Sequence, residues 1–300
     1  MAEHQLATVQ NERISWRDYL ALCKPKVVVV MLITAVVGML LAVPTVPPVL
    51  DIILGLLGIA FASASAAAVN HVMDRKIDEK MARTRGRPIP QGKMTPHQAM
   101  LFAAVIGITG IAILVLWVNL LTAWLTVAAL MGYAVIYTVW LKRATPQNIV
   151  IGGIAGAAPP LLGWTAITGT IEPDALLLVL IIFAWTPPHF WSLCIARKKD
   201  YEKAGIPMLP VTHGDEYTRF QIMLYSVLMV VTTLLPVMTG MSGFIYLAGI
   251  TVLNARFIYW VWSLWRKPNG APMALFRYSI NYIMLLFVIL LTDHYFILIE

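Results

Sequence analysis

Long apolar runs recur along this chain, each separated from the next by a short polar stretch. The runs are about 17 to 22 residues long, enough to cross a hydrocarbon core of roughly 30 Å as a helix. Nine can be drawn, at about 27–43, 52–69, 99–118, 120–141, 149–168, 175–196, 220–239, 243–263 and 279–298. Only the eighth contains a basic residue, Arg256, and only the ninth an acid, Asp293. The pattern predicts an all-α, polytopic membrane protein: one integral-membrane domain over residues 1–300, with residues 1–23 as a polar segment ahead of the first span. Pro159-Pro160, Pro187-Pro188 and Pro236 interrupt three runs and are expected to kink helices around a cavity. The stretch from Ile151 to Ala158, with Gly152, Gly153 and Gly156, permits close helix packing.

Composition agrees with the pattern. Hydrophobic residues make up 59% and charged residues 12%, against about 25% charged in soluble domains; the mean hydropathy is +0.77. Charge then orients the chain. Every one of the 22 Lys and Arg residues except Arg256 falls on alternate connections: Arg13 to Lys26, Arg75 to Lys93, Lys142-Arg143, Arg197 to Arg219, and Arg266 to Arg277. The opposite connections, around Pro44–Pro48, Asn119, Glu172–Asp174 and Gly240–Ser242, hold none. The positive-inside rule therefore predicts a cytoplasmic N-terminus and an external C-terminus. Miscounting by one span would scramble this segregation, so it also supports nine. The net charge of +7 is read as topology-setting charge, and no nucleic-acid partner is expected. Cys23 and Cys194 both fall near the cytoplasmic edge, so no disulfide is predicted. Glu3, Glu12 and the lack of an apolar core before Val27 predict neither a cleaved signal nor a transit peptide.

Two cytoplasmic connections are long and charged, at about 70–98 and 197–219, and they carry the candidate chemistry. The first opens with Asn70, Asp74 and Asp78, spaced by four directly after an uncharged apolar run. On a helix these three share one face. Carboxylates at a water boundary suit a hard divalent cation such as Mg²⁺, which takes oxygen ligands and often shares them with substrate phosphates. Arg83 and Arg87 follow, and guanidinium groups pair well with diphosphate oxygens. The second connection supplies Lys199 and Asp200, and the run between them ends in Lys142-Arg143 at the same membrane depth. The pattern predicts a diphosphate site at the membrane surface, although a solvated, topology-setting charge run would use the same arginines and lysines.

The residues resemble a known family. Asn70…Asp74…Asp78, Arg83-Thr84 with Arg87-Pro88-Ile89-Pro90, Tyr137-Thr138 with Lys142-Arg143, and Asn148 through Trp164 resemble the UbiA superfamily of intramembrane prenyltransferases. Pro187-Pro188-His189-Phe190-Trp191 and Asp200-Tyr201…Gly205-Ile206-Pro207-Met208-Leu209-Pro210 are similar to its protohaem IX farnesyltransferase branch. The resemblance runs from about Lys24 to the C-terminus and implies a UbiA-type bundle. It also implies transfer of a farnesyl group from farnesyl diphosphate to the 2-vinyl group of haem B, with addition of water, making haem O. On that reading Mg²⁺ sits on Asp74, Asp78 and Asp200, Asn70 assists, and Arg83, Arg87, Lys142, Arg143 and Lys199 hold the diphosphate. It further implies the cytoplasmic (inner) membrane of a prokaryote, and terminal-oxidase or haem A synthesis proteins as partners. One departure stands out: the superfamily usually carries a second aspartate pair four apart, and here the partner position of Asp200 is Ala204.

His189 has two readings: an axial ligand for haem iron, or a neutral histidine bonded to a carbonyl freed by Pro187 or Pro188. His71 adjoins the acidic triad but points about 100° away from it on a helix. Three rival functions make distinct demands. A UbiA-type enzyme acting on a quinone precursor or chlorophyll-like ring would not need the Pro-Pro-His-Phe-Trp stretch. A transporter would place its polar site near the bilayer midplane, in broken helices. A haem chaperone would need His189 and not the aspartates.

Overall fold

Every predicted span is helical in the computed structural model, which describes residues 14–266 and 271–297 and has no β-strand among them. Residues 1–13, with Arg13, and also Lys267 and Leu298 lie outside the described residues. The helices are α1 (Trp16–Leu22), α2 (Pro25–Leu41), α3 (Val49–Asp78), α4 (Pro96–Trp117) and α5 (Leu120–Met131). A π-helical segment, π1 (Gly132–Leu141), and a short α6 (Lys142–Ala144) prolong α5. Then come α7 (Asn148–Ala157), α8 (Pro159–Thr168), α9 (Pro173–Ala196), α10 (Lys198–Ala204), α11 (Leu209–Thr212), α12 (Gly214–Met238), α13 (Phe244–Arg266) and α14 (Ala271–Ile297). Among the described residues eight helices are long and apolar enough to cross a membrane, and α1 with α2, bent by 55°, makes a ninth if the pair is one span. The chain is a multi-pass membrane protein.

The bend falls at Lys24, whose φ of 48° is the one left-handed non-glycine backbone among the described residues. Such a conformation is costly for a side chain with a Cβ, and it gathers at functional sites. Pro25 follows at the first position of α2, where a missing N–H costs nothing.

Both long connections are shorter than the sequence expectation. The long connections span residues 79–95 and 197–213, because α3 runs on to Asp78 and α12 already starts at Gly214. Nothing between Val69 and Asp78 breaks a helix, and Arg75 and Lys76 complement the negative end of its dipole. Asn70, Asp74 and Asp78 are therefore helical residues rather than loop residues.

Small residues draw the helices together where lipid offers no hydrophobic drive. At Gly163 an added Cβ would overlap the carbonyl of Ala35, so α8 and α2 touch backbone to backbone. Several polar groups inside the bundle find partners on other elements. Asp293 of α14 accepts from the N–H groups of Gly243 and Tyr246 at 2.5 and 3.0 Å, capping α13 from a neighbouring helix. Arg256 lies over the Tyr278 ring at 5.7 Å, a cation–π partner in place of a counter-ion. His294 turns a ring nitrogen towards the Val43 carbonyl at 3.3 Å, linking α14 to the connection after α2.

Candidate functional site

A cavity of about 650 Å³ opens between α2, α3, π1, α7, α9 and α14. Its α3 wall is built from residues spaced by four. Asn70, Asp74 and Asp78 are 3%, 2% and 3% exposed, and all three line the cavity. The Asn70 amide donates to Asp74 Oδ2 at 2.8 Å and to Thr138 Oγ1 at 3.1 Å. Lys142 Nζ reaches the same Asp74 oxygen at 2.5 Å, and Arg87 Nη1 donates to Asp78 Oδ2 at 2.6 Å. Lys24, held at the bend, donates to Asn70 Oδ1. Three cations thus converge on two carboxylates and one amide, leaving a surplus of positive charge that suits an anion.

The π geometry sets the register of this contact. Thr138 bonds back to the Tyr133 carbonyl five residues earlier, at 2.8 Å, while its oxygen also receives Asn70. Tyr133 and Tyr137 stack with centroids 5.6 Å apart and both line the cavity. Tyr137 fits because Gly152 on α7 has no side chain; a Cβ there would run into the Tyr137 ring. Single π turns inside helices are frequent at functional sites, and here ten residues take that form.

Asp74 Oδ1 is buried and has no hydrogen-bond partner. An ionised carboxylate rarely leaves a buried oxygen unpaired, and such an oxygen, beside a second carboxylate on the same helix face, fits a divalent cation. Among the described residues no three of His, Cys, Asp and Glu come close enough to hold a metal by themselves. Two carboxylates plus substrate phosphate oxygens and water are the usual ligands of Mg²⁺.

Other predicted residues take different places. Arg83 is exposed but borders the cavity. Arg143 donates to the Met73 carbonyl at 3.0 Å and ties α6 to α3. Lys199 is exposed and is not on the cavity wall, and Asp200 is not brought to Asp74 and Asp78: it faces Arg197 at 3.8 Å on α10. Its neighbour Tyr201 does line the cavity, and burial pushes its phenol above the ordinary value, with the Cys194 sulfur adding to the rise. His71 is buried, with both ring nitrogens unpartnered, and lies away from the cavity wall.

His189 forms part of the α9 wall. Its ring lies between Trp185 (centroids 4.3 Å, 18°) and Phe276 (4.6 Å, 26°), with Phe190 edge-on at 5.1 Å. Nδ1 is 2.7 Å from Ser279 Oγ, so the imidazole is not spent on a carbonyl released by the proline pair. Lys24, Tyr133, Tyr137, Thr138 and Ser279 had no site role in the sequence expectation. Lys24 and Thr138 reach Asn70 from 46 and 68 positions away in the chain; the sequence offered Lys24 only as topology-setting charge and Thr138 only through the Tyr137-Thr138 motif of the resemblance.

Helical spans thus enclose an apolar cavity with carboxylates and cations grouped on one wall. The chain belongs to the UbiA prenyltransferase family, whose family model matches residues 31–289, and it is a prenyltransferase. The protoheme IX farnesyltransferase of Saccharophagus degradans is 59% identical over 291 residues, covering 96% of each chain. That of Hahella chejuensis is 59% identical over 281 residues, covering 93% of this chain and 94% of its own. Among solved structures, one of digeranylgeranylglyceryl phosphate synthase superposes with a TM-score of 0.79 at 21% identity, covering 93% of this chain and 98% of that one. A UbiA homologue from Archaeoglobus fulgidus bound to DMAPP and Mg²⁺ gives 0.66 at 18% identity, covering 91% and 99%. These two establish a shared fold.

Proposed function

We propose that this prenyltransferase moves the farnesyl group of farnesyl diphosphate onto the 2-vinyl group of haem B, with addition of water, releasing haem O and diphosphate. The observation that carries the reading is one cavity bordered both by the Asn70-Asp74-Asp78 face with its cations and by His189 between two aromatic rings. Relatives at 59% identity bear a name that states this transferred group and this acceptor.

The hard step is loss of diphosphate from the allylic carbon, C1 of the donor. Lys142, Arg87 and Lys24 draw the diphosphate to the α3 wall, with Arg83 at the rim. Asp74 and Asp78 would hold Mg²⁺, which supplies Lewis-acid stabilisation of charge on the leaving group. Asn70 fixes Asp74 by its 2.8 Å bond, so the carboxylate does not have to reorganise during the reaction. Tyr133 and Tyr137 offer ring faces to the allylic cation. The vinyl π electrons form the new carbon–carbon bond to C1. The carbon next to the porphyrin becomes cationic, and water adds its hydroxyl there with loss of one proton. Apolar walls keep bulk water from quenching the cation first.

Segregation of Lys and Arg supports a cytoplasmic N-terminus, an external C-terminus and a site facing the cytoplasm, in the inner membrane of a prokaryote. Terminal-oxidase and haem A synthesis proteins are the partners that a haem O product implies.

The test is purified protein incubated with haem B, farnesyl diphosphate and Mg²⁺, with and without EDTA, reading product mass. A metal-dependent gain of one farnesyl plus one water is expected. Consumption of farnesyl diphosphate with a phenolic acceptor and none with haem B would refute the acceptor.

A further inference from the structure

Ser279 of α14 holds both rings of the α9 wall. Its carbonyl accepts from Trp185 Nε1 at 2.9 Å, and its hydroxyl oxygen lies 2.7 Å from His189 Nδ1. The same hydroxyl donates to the Phe276 carbonyl at 2.7 Å. A serine has a single proton to give, and a carbonyl oxygen can only accept. With that proton directed to Phe276, the Ser279 oxygen acts as acceptor towards His189, an arrangement that assigns the hydrogen to Nδ1. Among the described residues no carboxylate pairs with the ring, and in the neutral Nδ1–H tautomer Nε2 keeps its lone pair.

Nε2 has no hydrogen-bond partner among the described residues, and His189 lines the cavity. Both faces of the ring are covered, by Trp185 and Phe276, which leaves the edge as the reactive direction. A metal binds imidazole along that edge, in the ring plane. Metal-bound histidines usually donate the other ring N–H to an oxygen, which fixes the tautomer and raises ligand basicity. The arrangement is that of a histidine prepared for a metal, 90 residues in sequence from the group that prepares it.

We infer that Ser279 is a positioning residue that locks His189 in its Nδ1–H tautomer, so that Nε2 ligates the iron of the porphyrin substrate. The inference rests on the haem B reading above and deepens it. Iron ligation would fix the height and tilt of the porphyrin and so hold one vinyl group towards the α3 wall. Ser279 itself touches neither substrate.

The experiment titrates purified full-length protein in detergent with ferric haem B and, separately, with metal-free protoporphyrin IX. Absorption and electron paramagnetic resonance spectra report the axial ligand. The variants are His189→Ala, Ser279→Ala and Ser279→Thr. The wild type is expected to give an imidazole-ligated spectrum, and His189→Ala to lose it. Ser279→Ala should weaken haem B binding by about 10-fold or more, the usual cost of losing an outer-shell partner, with a shifted ligand spectrum. Ser279→Thr, which keeps the hydroxyl, should restore both. Affinity for metal-free protoporphyrin IX should be the same in all four proteins, which also establishes that the variants are folded. An imidazole signature that survives His189→Ala would overturn the ligand reading and this inference with it. A wild-type spectrum and affinity in Ser279→Ala, with the signature lost in His189→Ala, would overturn the role of Ser279 alone. Equal losses for haem B and metal-free porphyrin in Ser279→Ala would reduce Ser279 to packing and overturn it as well.

Discussion

On the α3 wall of the cavity, three cations converge on two carboxylates and an amide, whereas on the α9 wall one imidazole lies flat between two aromatic rings. The first wall is held by charge, and each member has a partner of opposite sign or a strong hydrogen bond. The second is held by stacking and by one serine. The difference matches the two substrates proposed above. A diphosphate needs cations and a metal that compensate charge as it develops. A porphyrin needs flat apolar contact and one ligand for its iron. A single cavity can bring the two together because α3 and α9 belong to different parts of the bundle and meet across it.

The largest break in this comparison is expected from Asp74→Asn, which removes the carboxylate with the unpartnered buried oxygen. Turnover should fall by about 10²–10³-fold, the scale of losing a group that stabilises leaving-group charge. EDTA should do the same to the wild type, and both are read by steady-state product formation. Lys142→Met should also cost stability, because removing one partner of a buried pair costs about 3–5 kcal/mol. The melting temperature should drop, and Lys142→Met combined with Asp74→Asn should recover most of it while staying inactive. His189→Ala should raise KM for haem B by about 10-fold, the scale of a lost metal contact, and leave KM for farnesyl diphosphate unchanged. Gly152→Ala should displace the Tyr137 ring and lower kcat about 3- to 10-fold, at roughly 1 kcal/mol for a small overpacking strain. The smallest effect is expected from Asp200→Ala, below about 3-fold, as its surface pair with Arg197 at 3.8 Å is worth little. A loss as large as that of Asp74→Asn would mean that the segment 197–213 closes over the diphosphate.

Much of the first wall was legible in the sequence, and little of the second. Spacing by four encodes a helix face directly, so Asn70, Asp74 and Asp78 group together on their positions in the chain alone. The spans were equally open, because length and the absence of charge define them. The π segment was hidden: Gly132 to Leu141 is a plain apolar run, and its altered register follows from contacts with α3 and α7. Lys24 was counted among topology-setting charges, since the bend that turns it to Asn70 is a tertiary feature. Ser279 was hidden for a similar reason. A lone serine in an apolar helix usually bonds its own backbone, and its second partner lies on a helix 90 residues away. Arg256 and Asp293 were visible as anomalies inside spans, but their partners, the Tyr278 ring and the start of α13, came only from packing.

The central claim is that one wall takes the diphosphate and the other the porphyrin. The most direct measurement is equilibrium binding of haem B and of an unreactive farnesyl thiodiphosphate, with Mg²⁺, to Asp74→Asn and His189→Ala. The account predicts a crossed result: Asp74→Asn loses the thiodiphosphate and keeps haem B, and His189→Ala does the reverse. If each variant lost both ligands to the same degree, the division between the two walls would be contradicted.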